Sequence, residues 1–208
     1  MSIGKFIVFE GNEGTGKSTH ISFAAEYLQK SNIDCIVTRE PGGTEFGESV
    51  RNILLDSNSS LDPTSEAILF YASRVYNYKN IILKALNEGK YVICDRFHYS
   101  TLVYQGITQG NKEVIAMHNV LDSYFSNNIS LIIHLDAPIE ACYQRINKRK
   151  TSDKFEKQGR ELLIKIKSAY NEVFKENSKV VSIDTDNDKK SVQNKIKEHL
   201  DKLLNDKP

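Results

Sequence analysis

GNEGTGKST, residues 11–19, follows directly on the apolar run FIVFE (6–10) and leads into KSTHISFAAEYLQK (17–30), a helical stretch. Gly11, four residues, Gly16, Lys17 and Ser18 satisfy GxxxxGK[ST] in the strand-to-helix context that this phosphate-binding pattern requires. Glycines let backbone amides turn inward on phosphate oxygens, and the helix N-terminus adds the positive end of its dipole. Lys17 is placed to reach β and γ phosphates, and the Ser18 hydroxyl suits Mg²⁺. Gly11, Asn12, Glu13, Gly14, Thr15, Gly16, Lys17 and Ser18 are therefore expected to bind a nucleoside triphosphate. A turn built for packing alone has no use for the Lys-Ser pair. Glu13 is the anomaly, because a carboxylate in the loop repels phosphate.

Working outward, five short β-branched runs read as buried parallel strands: 5–10, 34–39, 91–95, 131–136 and 179–184. Helical stretches separate them, so an open parallel α/β sheet is expected. Most of the runs end in an acidic or basic residue, which puts polar chemistry at the carboxyl edge where such sheets bind ligands. In SEAILFYASRVYNYKNIILKALNEGK (65–90), Ala67, Phe70, Tyr71, Arg74 and Tyr78 recur at helical steps, with Ser65 and Gly89 as expected ends. RELLIKIKSAYNEVF (160–174) repeats the pattern, and 186–208 reads as a charged helix and tail.

The chain has 208 residues, 28 Lys plus Arg against 27 Asp plus Glu, and three cysteines without a CxxC pair. One domain spanning 1–208 is the simplest reading. The balanced charge provides no global field for nucleic acid, so any anion site is local. The odd, scattered cysteines (Cys35, Cys94, Cys142) suit a reducing compartment and core packing. With no signal-like or membrane-spanning run, a cytoplasmic location and no membrane partner are expected. The five histidines share no ligand spacing and are assigned neither metal nor proton transfer.

A second anion site is read at CDRFHYSTLVYQG (94–106). Asp95 ends a strand, where it can hold Mg²⁺ or its waters beside Ser18. Arg96 does not belong in a core, and a surface ion pair with Asp95 is the alternative to a ligand role. TREPGG (38–43) places Arg39 at the same edge, although a structural turn accounts for the Pro41-Gly42-Gly43 segment almost as well. Two guanidinium forks facing the glycine loop suggest a second phosphate. If the acceptor is a phosphate monoester with a second pKa of about 6, it is already ionised at pH 7 and needs no general base. Catalysis must then supply positive charge. Two like charges about 4 Å apart repel by about 4 kcal/mol at an effective dielectric near 20.

Together FIVFEGNEGTGKST, TREPGGTEFGESVRNILLD, LFYASR, DRFHYSTLVYQG and HLDAPIEACYQR make the chain resemble the bacterial thymidylate kinases, over most of its length up to a lid at about 145–158. The resemblance implies a three-layer P-loop NTPase fold: a five-stranded parallel sheet in the order 2-3-1-4-5, flanked by helices, with a basic helical lid. It also implies a homodimer and transfer of the γ-phosphoryl group of ATP to dTMP, with Mg²⁺, on the way to dTTP. Carried onto this sequence, it implies that Phe70 stacks on thymine and that Arg74, one turn on, bonds a base carbonyl. Tyr104 would crowd the sugar 2′ position, and Thr101 and Gln105 would face the base. Ser100 lines the same pocket, and Arg51 lies near it, unless it belongs to a solvated helix face. Lys17, Arg39, Asp95 and Arg96 form the expected catalytic set, with a lid cation that Glu13 would hold on closure. The lid pattern departs from the family's Asp-Arg-x-Glu, reading Asp153-Lys154-Phe155-Glu156, so Arg149 and Lys154 are both expected there. A lysine keeps the charge but not the fork.

Two other readings compete. Another small P-loop kinase, for a different nucleotide or a deoxynucleoside, would need a base such as Asp95 or Glu40. A nucleotide-binding switch would need no second pocket, and neither NKRK (147–150) nor NKIK (194–197) carries the aspartate of a guanine reader.

Overall fold

A computed structural model describes residues 4–56, 58–148 and 159–205. Five strands, β1 (Phe6–Gly11), β2 (Cys35–Arg39), β3 (Tyr91–Asp95), β4 (Ile129–Asp136) and β5 (Val180–Asp184), form one parallel sheet in the order β2-β3-β1-β4-β5. That is the expected order. β1 is central and buried along its whole length, which is why its sequence is continuously apolar up to Glu10.

The alternation of side chains divides the strands between two cores. Phe6, Val8, Val92, Cys94 and Ile132 face one way, against α3 (Pro63–Asn77) and α8 (Gly159–Phe174). Ile7, Phe9, Ile93, Leu131, Ile133 and Leu135 face the other, against α1 (Lys17–Lys30) and α9 (Lys189–Asn205). The result is the three-layer arrangement. The remaining helices are α2 (Glu45–Leu55), α4 (Leu83–Asn87), α5 (His98–Thr101), α6 (Lys112–Ser126) and α7 (Ile139–Asn147). Cys94 and Cys142 are buried, and Cys35 is half-buried.

Several boundaries differ from the sequence reading, each for a local reason. The long helix begins at Pro63, not Ser65, because Asp62 accepts from the Thr64 and Ser65 amides and Pro63 occupies the first turn. It does not run evenly to Gly89. Tyr78–Ile82 widens into a π-helical turn before α4. A second such turn, Leu102–Ile107, extends α5. β4 starts at Ile129, where the register against β1 shifts between Phe6 and Ile7.

His134 is 2% exposed and sits beside the Ser182 hydroxyl (3.0 Å). Burial pushes its pKa down to about 4. The unfolded chain therefore binds a proton near pH 6.5 that the folded chain refuses until about pH 4, so this contribution to stability falls as the pH drops through that window. The deficit of His134→Gln relative to wild type in urea melts is expected to shrink by about 2 kcal/mol between pH 7 and pH 4.5. A deficit independent of pH contradicts the neutral imidazole.

Candidate active site

The phosphate loop lies where β1 ends and α1 begins. Gly11 has φ 141°, and a Cβ there would sit 2.2 Å from the Leu135 carbonyl of β4. Gly14 has φ 78°, and its Cβ would meet the Cys142 carbonyl at 2.6 Å. Only glycine permits both the turn and these approaches. The loop is tied down from inside. The Thr15 hydroxyl donates to Asn12 O (2.9 Å), and the Asn12 amide donates to Leu163 O on α8 (2.8 Å). The Asn12 side chain thus faces inward and ties the loop to α8. Lys17 donates from Nζ to the carbonyls of Gly11 (3.0 Å) and Asn12 (2.9 Å). Its pKa is lowered, first by burial and then by Arg96.

Arg96 follows β3 with φ 65°, the left-handed conformation that non-glycine residues seldom adopt. Its amide still bonds Phe9 O (2.8 Å), so the turn brings the side chain back across the end of β1. Nη1 donates to Gly11 O (2.9 Å), and Nη2 is paired with the Glu13 carboxylate. Glu13 is thereby placed against Arg96, the arginine that follows β3. The alternative reading, an ion pair between neighbours Asp95 and Arg96, is not among the ion pairs formed by the described residues. Asp95 Oδ1 is buried with no hydrogen-bond partner there. Arg39 stands beside Asp95 across the β2–β3 ladder. Its side chain is 54% exposed and bound to Glu48 on α2 (2.8 Å), not held by the Pro-Gly-Gly turn alone.

Around Arg74 a buried network joins α3 to the segments after β2 and β3. Arg74, 1% exposed, pairs through Nε with Glu40 and donates from Nη1 to Thr101 Oγ1 (2.9 Å). Asn77 donates to the other Glu40 oxygen (3.3 Å). Burial raises the Glu40 carboxyl to about 7 against the pull of Arg74. Gln105 donates to Glu66 (3.2 Å). The Arg51 side chain donates to Pro41 O (2.9 Å). Phe70 packs with Val50 and Leu54 of α2, so the core role and the pocket role of this ring coexist. The Arg96 guanidinium lies over the Tyr104 ring, 5.0 Å from its centre.

One cavity of about 270 Å³ joins these parts. Gly14, Gly16, Lys17, Ser18, Asp95 and Arg96 line it together with Phe70, Arg74, Tyr104 and Gln105, and Arg39, Arg51, Ser100 and Thr101 also line it. Sequence reasoning missed two contributors, Glu10 and Tyr170, and counted a third, Arg145, in the lid, whereas it lies on α7. Glu10, fully buried, accepts from the Phe97 amide (2.8 Å), the Ser100 hydroxyl (2.6 Å) and the Tyr170 hydroxyl (2.9 Å), and so seats the loop after Arg96. Tyr170 also accepts from Arg96 Nη1 (3.3 Å). Arg145 donates to Gly14 O (3.2 Å) and Thr185 O (3.2 Å). The charge of Glu10 inside an otherwise apolar strand was the available signal. Arg149 and Lys154 lie outside the described residues, as does most of the expected lid.

Comparison with known proteins agrees with this geometry. A family model described as Thymidylate kinase matches residues 9–196. A thymidylate kinase of Caldicellulosiruptor saccharolyticus is 36% identical over 203 residues, covering 97% of this chain and 98% of that protein. Those of Francisella tularensis subsp. novicida and subsp. tularensis are each 37% identical over 205 residues, covering 97% of both chains.

Proposed function

Because the chain belongs to the thymidylate kinase family and carries out ATP-dependent phosphorylation of dTMP to dTDP, we propose that both substrates meet in the one cavity, head to head at Arg96. The observation that carries this reading is that one cavity is lined both by the loop lysine and by Phe70 and Arg74. ATP lies along Gly11–Ser18, its phosphates against the backbone amides and Lys17, whose ammonium now rests on loop carbonyls. The thymine ring of dTMP stacks on Phe70, with Arg74 and Gln105 at its polar edge and Tyr104 beside the sugar. Arg96 reaches the dTMP phosphate, assisted by Arg39 once the exposed Glu48 pair yields. Arg51, Ser100 and Thr101 complete the wall.

An oxygen of the ionised dTMP phosphate attacks the γ-phosphorus of ATP in line, the bond to the β-bridging oxygen breaks, and ADP leaves. Little proton transfer is required. The work of the site is to place two anions in contact and to offset their repulsion with Lys17 and Arg96. Ser18 and Asp95 fit Mg²⁺: a hydroxyl and a buried carboxylate oxygen with no hydrogen-bond partner among the described residues line the same cavity. When bound there, the ion supplies further positive charge to the β and γ phosphates. Arg149 or Lys154 supplies the lid cation in this account. Glu40 is engaged by Arg74 and Asn77, which argues against its serving as the base a hydroxyl acceptor would need. A panel of nucleosides and nucleoside monophosphates with ATP and Mg²⁺, read by ADP release, is expected to favour dTMP. Preference for thymidine overturns the acceptor assignment.

We read the chain as one domain acting in the cytoplasm, in keeping with free cysteines and with the absence of any helix, among the described residues, long and apolar enough to cross a membrane. We also propose a homodimer through α3 and the neighbouring α6. Ile68 (53% exposed) and Tyr76 on α3, and Val120 (78%) and Tyr124 on α6, leave apolar surface uncovered, beside a groove that Tyr71, Ala72 and Val75 also line. Light scattering is expected to give twice the chain mass for the wild type and a shift toward monomer for Ile68→Lys. A monomeric wild type removes this assignment.

A further inference from the structure

From the convergence of two imidazoles and a carboxylate between α5 and α6, we infer that His98, His118 and Asp122 form a binding site for a divalent transition-metal ion of the Zn²⁺ class. It is separate from the Mg²⁺ position at Ser18 and Asp95. His98 Nε2 lies 2.9 Å from Asp122 Oδ1 and His118 Nε2 lies 3.8 Å from the same oxygen. One ligand atom from each of the three residues falls within 4.8 Å of the others. In a tetrahedral site with bonds of about 2.05 Å, ligand atoms stand about 3.3 Å apart, and the two measured separations bracket that value. The rings are nearly parallel (12°), with centres 5.3 Å apart, so closing the site requires a turn of His118 toward Asp122.

The surroundings of His118 suit ligation. The Tyr71 hydroxyl lies 3.5 Å from His118 Nδ1, so the phenol oxygen can accept from an Nδ1–H and leave the Nε2 lone pair for a metal, the outer-shell arrangement typical of histidine ligands. Burial also keeps both rings neutral at pH 7, the form that binds metal. His98 is fully buried, whereas the Asp122 side chain is 39% exposed, which provides an entry path and room for water as the fourth ligand. Two nitrogens and one oxygen suit Zn²⁺ or Co²⁺ and not Mg²⁺, which prefers an all-oxygen shell. His118 and Asp122 stand one helical turn apart on α6 and His98 is on α5, the element that also carries Ser100 and Thr101. A bound ion would cross-link α5 to α6.

The test uses the full chain, reduced and stripped with chelator, then titrated with Zn²⁺ by calorimetry in excess Mg²⁺, with Co²⁺ as a spectroscopic probe. The wild type is expected to bind one Zn²⁺, to melt about 5 °C higher at saturation, and to give a visible Co²⁺ spectrum without a thiolate band. Asp122→Asn and His118→Gln are each expected to weaken Zn²⁺ binding at least tenfold. Asp122→Asn, at the exposed position, decides the matter should His118→Gln fail to fold. Wild-type affinity in Asp122→Asn, no Zn²⁺ binding by the wild type, or a thiolate-to-metal band from Co²⁺ each overturns the site.

Discussion

Arg96→Ala is expected to lower kcat by about 10²–10⁴-fold, the range seen when a positioned donor to developing phosphoryl or oxyanion charge is removed. The cause is electrostatic. Without this guanidinium the dTMP phosphate meets the triphosphate with one fewer cation between them, and Glu13, which Arg96 now pairs, is left facing both anions. KM for dTMP should rise at least tenfold, whereas KM for ATP should change less, because the loop amides and Lys17 remain. Some ATP effect is expected, since Arg96 also binds the Gly11 carbonyl. Arg96→Lys keeps the charge without the fork and should fall between the two. Steady-state kinetics with each substrate varied would check this, and a kcat within threefold of wild type in Arg96→Ala would remove the residue from the chemistry.

Arg74→Met should cost about 3–5 kcal/mol of stability, because it deletes one member of a fully buried ion pair and leaves Glu40 uncompensated. The pH signature is specific. Burial already raises Glu40 to about 7 with Arg74 opposing it, and without Arg74 the folded-state value climbs further. A carboxylate with a raised folded pKa takes up its proton more readily when folded, so its burden on stability appears above the unfolded value and grows with pH. The variant's deficit in urea melts should therefore be larger at pH 8 than at pH 5.5. Arg74→Met combined with Glu40→Gln should recover part of it at pH 8. A pH-independent deficit, with no recovery in the double variant, would show that lost packing and not the stranded carboxylate is responsible. The dTMP affinity of Arg74→Met should fall as well, since Arg74 lines the cavity proposed to hold the base.

What could be read from the sequence was what is local along the chain. The phosphate loop is contiguous and its glycine spacing is recognisable within nine residues, although the carbonyls that exclude a Cβ there belong to Leu135 and Cys142, far along the chain. Its flanking strand and helix follow from patterning. The order of the strands came from the resemblance, because periodicity does not say which strand lies beside which. Arg96 and Arg39 were readable as strand-end charges, but their partners were not. Glu13 lies 83 residues from Arg96, and Glu10 lies 160 from Tyr170. Such pairs are set by the sheet register and by helix packing, which single residues do not announce. The same holds for His98 and His118, whose only local clue was the four-residue step from His118 to Asp122. The start of the long helix at Pro63 was legible in Asp62-Pro63, a capping signal outweighed by the apolar period that begins later.

The most direct test of the shared cavity is a crystal structure with dTMP and a non-hydrolysable ATP analogue bound together. The predicted result is the dTMP phosphate within hydrogen-bonding distance of the Arg96 guanidinium, the thymine ring against Phe70, and the γ-phosphate at Lys17. A dTMP phosphate out of reach of Arg96, or a base bound away from Phe70 and Arg74, would contradict the account.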